Sequence, residues 1–545
     1  MMWLTRLRDA QTFPHLARRL VDQARHGGGP DHALRTEVRR HLKGPEAARW
    51  LEWLASHPLD APAQLIRAVQ ELALSAVPIT TQANTTDYEW AGATLQRLLG
   101  TTQPVAETWA FFSDSKKPAT IAHTNPQAGP VTMEELVASV PEILGPAGMD
   151  HEHQNQKYFF VKFLDPSDFP PFAYVGFHPD AVAALRKSPE ALKAHMAGLL
   201  LQDRQNLEAY AALVRPAVTS LTQFGHLKTA YKQWAIAQAR EDWTSTAALD
   251  GRAFVPPERA PDAQELLRRQ QAIRRQITGL LHRIDFADDQ AILIESPTLH
   301  AIAGLSLQLH PRVRGNFHPK DELWIYKRVA DVQGRPLGWV LVEPQRTFDV
   351  TESGADFFTP FAWRNERLEF RKTLPQAFAG WKEYVDYFVS LMDAKPRARS
   401  HYVRTAIPTE VPGHATHGAA QWYRLVEEDG WPYFLARELR FTAPGWSRGA
   451  LAHHCFVELH ATQGTVEIAL RGGRAQPLTC MVSPAQPVFL PATLPYETIE
   501  YRARGPAQLL WFTRPRESHA PPPAARHRQT RPESERPPHP NIQIP

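Results

Sequence analysis

Cysteine is almost missing from this chain. Only Cys455 and Cys480 occur in 545 residues, and neither stands in a Cys-x-x-Cys pair. A disulfide framework is therefore excluded, and a reducing cytoplasm is the expected compartment. Long apolar runs are missing too. No stretch approaches the roughly 18 uncharged apolar residues of a membrane-spanning helix. The opening Met1-Met-Trp-Leu-Thr-Arg-Leu-Arg brings charge early and has no apolar core, so no secretory signal is expected. Excess charge of one sign is small: 61 Lys and Arg stand against 57 Asp and Glu, a net +4. Much of that excess lies in an Arg- and His-rich tail, which argues against a nucleic-acid surface.

What is present is a chain of ordinary globular composition, 43% hydrophobic and 22% charged. It is too long for a single core, and three or four domains are expected. Residues 1–84 read as a helical appendage, with Leu16, Leu20, Val21 and Ala24 at helical spacing and breaks at Gly27-Gly-Gly-Pro30 and His57–Pro62. Residues 85–180 and 286–365 read as the two parts of one β unit, and 181–285 as a helical insertion between them. Residues 366–514 form a second β-rich unit of short strands separated by turn residues. From 515 to 545 the chain is Pro, Arg, His and Ser, and disorder is expected.

Residues 292–326 carry the chemistry. From Leu305 to His310 the pattern alternates: Leu305, Leu307 and Leu309 on one side, Ser306, Gln308 and His310 on the other. Glu322-Leu-Trp-Ile-Tyr326 alternates again and starts with a carboxylate. Two imidazoles (His300, His310), an amide oxygen (Gln308) and a carboxylate (Glu322) are ligands that a borderline divalent ion such as zinc accepts.

These stretches resemble a family. Leu305–Pro311 followed by Pro319-Lys-Asp-Glu322-Leu-Trp-Ile-Tyr326 is similar to the zinc-binding stretch of type I phosphomannose isomerases, cupin-fold enzymes. Pro297-Thr-Leu-His300-Ala-Ile resembles the family's later Gly-Thr-x-His-Ala motif. Upstream, Tyr88-Glu-Trp90-Ala-Gly92, Val105-Ala-Glu107-Thr-Trp109 and Phe159–Asp165 resemble family motifs, as does Val340–Thr351 downstream. The similarity runs with gaps from about Tyr88 to about Trp363, and more faintly through a C-terminal barrel.

The resemblance implies a mainly β chain with helical insertions: two cupin-type jelly-roll barrels, a helical insertion and the helical N-terminal appendage. It implies one divalent metal per chain, zinc first, and a metal-dependent isomerase of mannose 6-phosphate and fructose 6-phosphate or a close sugar phosphate. No nucleic-acid or membrane partner is implied. Two positions differ from the family pattern. Ala173-Tyr-Val-Gly176-Phe-His178-Pro has Gly176 where the family's first metal motif has Gln, and the Gln-x-His-Pro of Gln308 and His310 comes after the Thr-Leu-His-Ala stretch. Glu352 and Ser353 stand near the place of the family's catalytic Arg. The site is thus built from His178 and His300, from Gln308, His310 and Glu322, or from a mixture. Lys320 matches the family's Lys-x-Glu lysine, and Arg346 lies close to the missing arginine; Arg312 and Arg314 are further candidates to face a phosphate. In the second barrel His453, His454 and His460 invite a metal. The closing strand reads Leu494-Pro-Tyr496-Glu, however, so that barrel is expected to be structural. The alternatives are a non-catalytic cupin that binds sugar as a regulatory module, and another metal-dependent cupin enzyme such as a sugar epimerase. A dioxygenase fits less well, because its iron sites show His-x-His.

Overall fold

The structure, a computed structural model, describes residues 71–514, apart from 72–73, 83, 87–90, 112–118, 123–129, 148–158, 166–171, 187, 228–229, 232–259, 286–291, 296–298, 303–305, 310–322, 347–377, 391–393, 395–402, 427–433 and 474–476. Most of the expected N-terminal appendage, the tail, and His310, Lys320, Glu322, Arg312, Arg314 and Glu352 lie outside the described residues.

Alternating apolar residues build three antiparallel sheets. The first has seven strands in the order β1 (Thr85–Thr86), β2 (Glu107–Trp109), β3 (Phe159–Leu164), β10 (Pro336–Arg346), β9 (Leu323–Ala330), β6 (Ile292–Glu295) and β11 (Val403–Thr405). The second has four: β5 (Leu281–Asp285), β4 (Phe172–Phe177), β7 (Leu299–Ile302) and β8 (Ser306–Leu309). The third comprises β12 (Ile407–Thr409), β13 (His414–Arg424), β14 (Leu435–Ala450), β15 (Val457–Gln463), β16 (Val466–Arg471), β17 (Leu478–Val482), β18 (Val488–Leu490), β19 (Thr498–Ala503) and β20 (Ala507–Thr513).

The third sheet bends into a nearly closed barrel because β14 serves two walls. Its first half, Leu435–Phe441, pairs with β20, and its second half, Gly445–Ala450, pairs with β19. β13 follows it across the bend with a register shift between Gly418 and Ala420. Gly418 has a φ of +69° there, and a Cβ on it would press on the Pro444 carbonyl. The turn therefore needs glycine. Inside lies an apolar core that includes Leu439, Phe441, Leu459, Ile468, Leu490, Ile499 and Leu509. Each such fully buried side chain contributes about 1.5–3 kcal/mol.

The helices α1 (Ala93–Leu99), α2 (Met133–Ser139), α3 (Pro179–Ala184), α4 (Pro189–Val214), α5 (Ala260–Gly279) and α6 (Trp381–Ser390) pack around the first two sheets. The long α4 is started by Ser188, whose Oγ accepts the Ala191 N–H at 3.1 Å, with Pro189 at its first position. It binds α5 through a buried polar network: Asn206 donates to Gln270 at 2.7 Å, Gln270 to Asp203, and Arg274 to the Tyr231 hydroxyl at 2.7 Å. The Arg204 guanidinium lies 4.3 Å over the Trp381 ring and ties in α6. No helix among the described residues is long and apolar enough to cross a membrane. Both cysteines are free.

Two boundaries differ from the sequence reading. The expected helical insertion over 181–285 ends in a strand: Leu281–Asp285 pairs with β4, because its alternation finds an antiparallel partner there. The second β unit, expected from 366, begins with β12. α6 packs on α4, and β11 joins β6 in the first sheet. Of the two expected barrels, one is present among the described residues as a nearly closed sheet, and the seven-stranded sheet lies against its outside.

That contact is a shared core. Val161, Phe163, Leu323, Ile325, Val340 and Val342 point from the first sheet toward Phe434, Phe456, Phe489, Leu510 and Phe512 of the barrel. Two polar joints are embedded in it. Lys327 Nζ meets Glu438 Oε1 at 2.6 Å with both side chains fully buried. Glu458 and His460 of β15 also face the first sheet. His460 Nε2 lies 3.2 Å from Glu458 Oε2, and its ring stacks on Phe163 at 5.2 Å. Burial raises the Glu458 carboxyl well above its usual range, against the Val161 N–H that lowers it. Burial holds His460 down at about 3. Burial therefore pushes both groups of the pair toward their neutral forms.

A pH dependence follows. A depressed imidazole binds its proton more readily in the unfolded chain. The His460 contribution is therefore intact above the usual imidazole range and is lost as pH falls from about 6.5 toward about 3. Glu458 acts oppositely: its raised carboxyl costs stability as pH climbs from the usual carboxylate range through its folded value. Denaturant titrations at pH 7, 5.5 and 4 should show wild type weakening on acidification more steeply than His460→Leu. Parallel curves would remove His460 from the pH response.

Candidate functional site

The four-stranded sheet brings β4 between β5 and β7, strands about a hundred positions or more further along the chain. In its register His282 of β5 opposes Val175 of β4, Val175 opposes His300 of β7, and His300 opposes Gln308 of β8. One row thus carries two histidines and a glutamine, and β4 runs on directly into His178. Glu322 directly precedes β9 of the neighbouring sheet and lies, with His310 and Lys320, outside the described residues. Arg346 is the last residue of β10, opposite Phe159.

His178 ends β4 and begins α3. Its Nδ1 accepts the Asp180 N–H at 3.2 Å and so caps that helix. The Nε2 edge is left for another partner, and the ring centroid lies 6.0 Å from that of His282. Gly176 of the Gly-x-His stretch has a φ of +65° at a register shift between Val175 and Phe177. The shift is a β-bulge, where the left-handed backbone favours glycine and any other side chain is strained.

A second polar row crosses the seven-stranded sheet on the face turned away from the shared core. Trp109 opposes Lys162, and Lys162 opposes Glu343. Glu343 divides its oxygens: Oε1 accepts the Trp324 indole N–H at 2.7 Å, and Oε2 pairs with Lys162 Nζ. The Trp109 indole N–H donates to Glu107 Oε2 at 2.9 Å. Glu343 is 2% exposed and the Lys162 side chain 16%, so Lys162 is the more accessible partner of this pair. Alternation explains the row. On β3 and β10, Val161, Phe163, Val340 and Val342 take the core side, which leaves Lys162 and Glu343 on the other.

Two of the family-like upstream motifs meet beside this row. Asp165 is fully buried and accepts the Leu95 N–H at 2.9 Å, holding the N-terminus of α1. A Cβ on Gly92 would run into that carboxylate. Gly92 and Asp165 are therefore matched for close approach.

Sequence reasoning did not single out His282, Glu107, Lys162 or Glu343 as functional groups. Their signal was a polar residue within an otherwise apolar alternating run, as at Lys162 in Phe159–Leu164. The histidines of the barrel do not converge. Both His453 nitrogens meet carbonyls, Ala492 at 3.0 Å and Tyr496 at 2.9 Å, while His454 Nε2 meets the Arg514 carbonyl at 2.9 Å and His460 is buried in the joint. Among the described residues no group of three or more His, Cys, Asp or Glu is arranged to hold a metal. The donors of the four-stranded sheet, imidazole nitrogen and amide oxygen, nevertheless have the chemistry a zinc-like ion accepts.

No protein-family model and no curated protein sequence matches the chain. Its fold is similar to several solved structures. A point mutant of phosphomannose isomerase from Salmonella typhimurium is 13% identical, with 81% of this chain and 100% of that chain covered and a TM-score of 0.40. Mannose 6-phosphate isomerase from the same organism, bound to its substrate and to zinc, is 11% identical with the same coverage and a TM-score of 0.36. A point mutant of Bacillus subtilis oxalate decarboxylase is 9% identical, with 42% and 74% covered and a TM-score of 0.21.

Proposed function

We propose that the protein is a metal-dependent aldose–ketose isomerase of sugar phosphates, acting on mannose 6-phosphate and fructose 6-phosphate or a close relative. The observation that carries this reading is the strand register. The Gly-x-His stretch is distant in sequence from the Thr-Leu-His-Ala and Gln-x-His stretches, yet the three supply adjacent strands, with His300 directly opposite Gln308. A zinc-like ion would be held by His300, His310 and Glu322, with Gln308, His178 or the neighbouring His282 completing the set. Bound there, it supplies Lewis-acid polarisation of the sugar oxygens. The chain supplies the rest. Lys162 Nζ, held by Glu343, is the proposed donor to a sugar oxygen as negative charge develops in the enediolate. Lys320 and Arg346 are the cations proposed to clamp the phosphate. The buried indoles of Trp109 and Trp324 flank the pair and donate to Glu107 and Glu343, which fixes the carboxylate beside Lys162.

A non-catalytic sugar-binding role is the second reading. The observation favouring it is the bulge at Gly176, which removes a side-chain ligand from the first motif. One experiment separates the two. Metal content is measured on the purified full chain, followed by a coupled isomerase assay with mannose 6-phosphate. Turnover should be abolished by chelation, restored by zinc, and reduced by about 100-fold or more in Glu322→Gln, whose neutral amide weakens both the ion and the polarised oxygen. Metal-replete protein that binds a hexose phosphate without turnover establishes the second reading; protein that does neither removes both.

A further inference from the structure

The C-terminal barrel meets the seven-stranded sheet at two polar points, and both bear on strands of the Lys162–Glu343 row. His460, Leu510 and Glu438 stand in one register row across β15, β20 and β14. Glu438 holds Lys327 of β9, and His460 stacks on Phe163 of β3. β10, which carries Glu343, lies between those two strands. It is thus flanked on both sides by strands that the barrel holds.

The hold on β3 is local to Lys162. Alternation sends Lys162 to one face and its neighbours Val161 and Phe163 to the other, toward the barrel. Those two neighbours are the residues that the Glu458–His460 pair meets. The His460 ring stacks on Phe163, and the Val161 N–H acts on the Glu458 carboxyl. The imidazole is hemmed in: Phe111 and Phe512 stand edge-on to it, with centroids 5.9 and 6.0 Å away, and its Nε2 meets Glu458. Neighbouring strands do less here. The pairing of β2 with β3 ends at Trp109, opposite Lys162, and Val161 opposes Pro344, which has no N–H to donate. Both members of the pair are buried in a joint that Val, Leu and Phe otherwise fill, and polar groups carry a desolvation penalty that those residues do not.

We propose that Glu458 and His460 are positioning residues for Lys162: from behind the sheet they fix β3 on both sides of the lysine and so set where its ammonium stands against Glu343. The use made of that ammonium rests on the isomerase reading; the hold itself does not. Burial favours the neutral form of Glu458, so glutamine matches it in shape, charge and acceptor oxygen. Leucine matches it in bulk alone and loses the polar link. Lys162 acts on charge that develops in the transition state, so its displacement lowers kcat rather than raising KM.

The test reads the hold without substrate. The full chain is briefly acetylated with acetic anhydride, and each lysine is followed by peptide mass spectrometry. Lys382, largely exposed, is the reference, and Lys327, fully buried in the same joint, reports general loosening. Glu458→Leu should raise the Lys162 rate by about fivefold or more, the scale of a hydrogen bond to a charged group, with Lys327 still unreactive. Glu458→Gln should keep the wild-type rate. Glu343→Gln, which frees the ammonium directly, sets the upper limit. In the isomerase assay Glu458→Leu should lower kcat by about tenfold or more with KM within about twofold, and Glu458→Gln should restore it. An unchanged Lys162 rate in Glu458→Leu overturns the proposal. So does a joint rise of Lys162 and Lys327, failure of Glu458→Gln to restore the rate, or a wild-type kcat in Glu458→Leu. If Glu458→Leu does not fold, His460→Leu removes the stacked ring and must raise the Lys162 rate; no change there overturns the proposal too. A wild-type chain without turnover removes the isomerase reading, and the Lys162 rates alone then decide this one.

Discussion

Glu438→Leu is expected to destabilise the protein by about 3–5 kcal/mol, the usual cost of removing one partner from a buried ion pair. Lys327 and Glu438 are both fully buried between the first sheet and the barrel. Burial alone would raise the Glu438 carboxyl, but Lys327 and Arg440 outweigh it and hold it below its usual range. With the carboxylate gone, the buried Lys327 ammonium loses this counter-charge, and Arg440 keeps its contacts with Tyr423, whose ring lies 4.0 Å away. Lys327→Met combined with Glu438→Leu should recover most of the loss, because matched apolar side chains replace buried pairs at little cost. Guanidinium denaturation of the single and double variants measures the difference. A single variant within about 1 kcal/mol of wild type would show that packing alone holds this joint.

Glu343→Leu is expected to cost about 3 kcal/mol or more and to end productive sugar-phosphate binding. It removes two interactions at once, the 2.7 Å acceptor of the Trp324 indole and the counter-charge of Lys162. Trp324 is fully buried, so its N–H has no water to turn to, at a cost of about 1–3 kcal/mol. Lys162 is partly exposed and swings toward solvent, which dismantles the row. Glu343→Gln keeps an oxygen for Trp324 but not the charge. It should retain most of the stability while losing the fixed ammonium. Parallel denaturation and mannose 6-phosphate binding measurements separate these effects. If Glu343→Leu binds the sugar phosphate as wild type does, the row lies outside the site.

Residues whose partners are near in sequence were the legible ones. The alternation from Leu305 to His310 named a strand, and the helical reading of 181–285 anticipated α4 and α5. Alternation reveals which side chains share a face, but it does not reveal which strand lies alongside. Nothing local announces that β11 leaves its neighbours to pair with β6, that β14 is shared between two walls, or that Leu281–Asp285 leaves the helical pattern. The same limit hid part of the site. His300 and Gln308 were recognisable as donors from a short motif, whereas His282 joins their row only through β4. Lys162 and Glu343 read as ordinary strand residues until β3 and β10 were placed side by side. Lys327 and Glu438, 111 positions apart, carry no mutual signal at all.

The shared core also sets a schedule for biosynthesis. Val340 and Val342 present an apolar face whose cover includes Leu510 and Phe512, so the last cover arrives 170 positions after Val342. At ~5–20 residues per second, that face stays incompletely covered on the ribosome for roughly 10–30 seconds. The sheet itself stays incomplete until β11 emerges, so the N-terminal half has no finished fold to adopt while it waits. A nascent chain of this design is exposed to holdase chaperones late in translation, and a stop codon before β20 leaves a long product with an open wound rather than a smaller working protein.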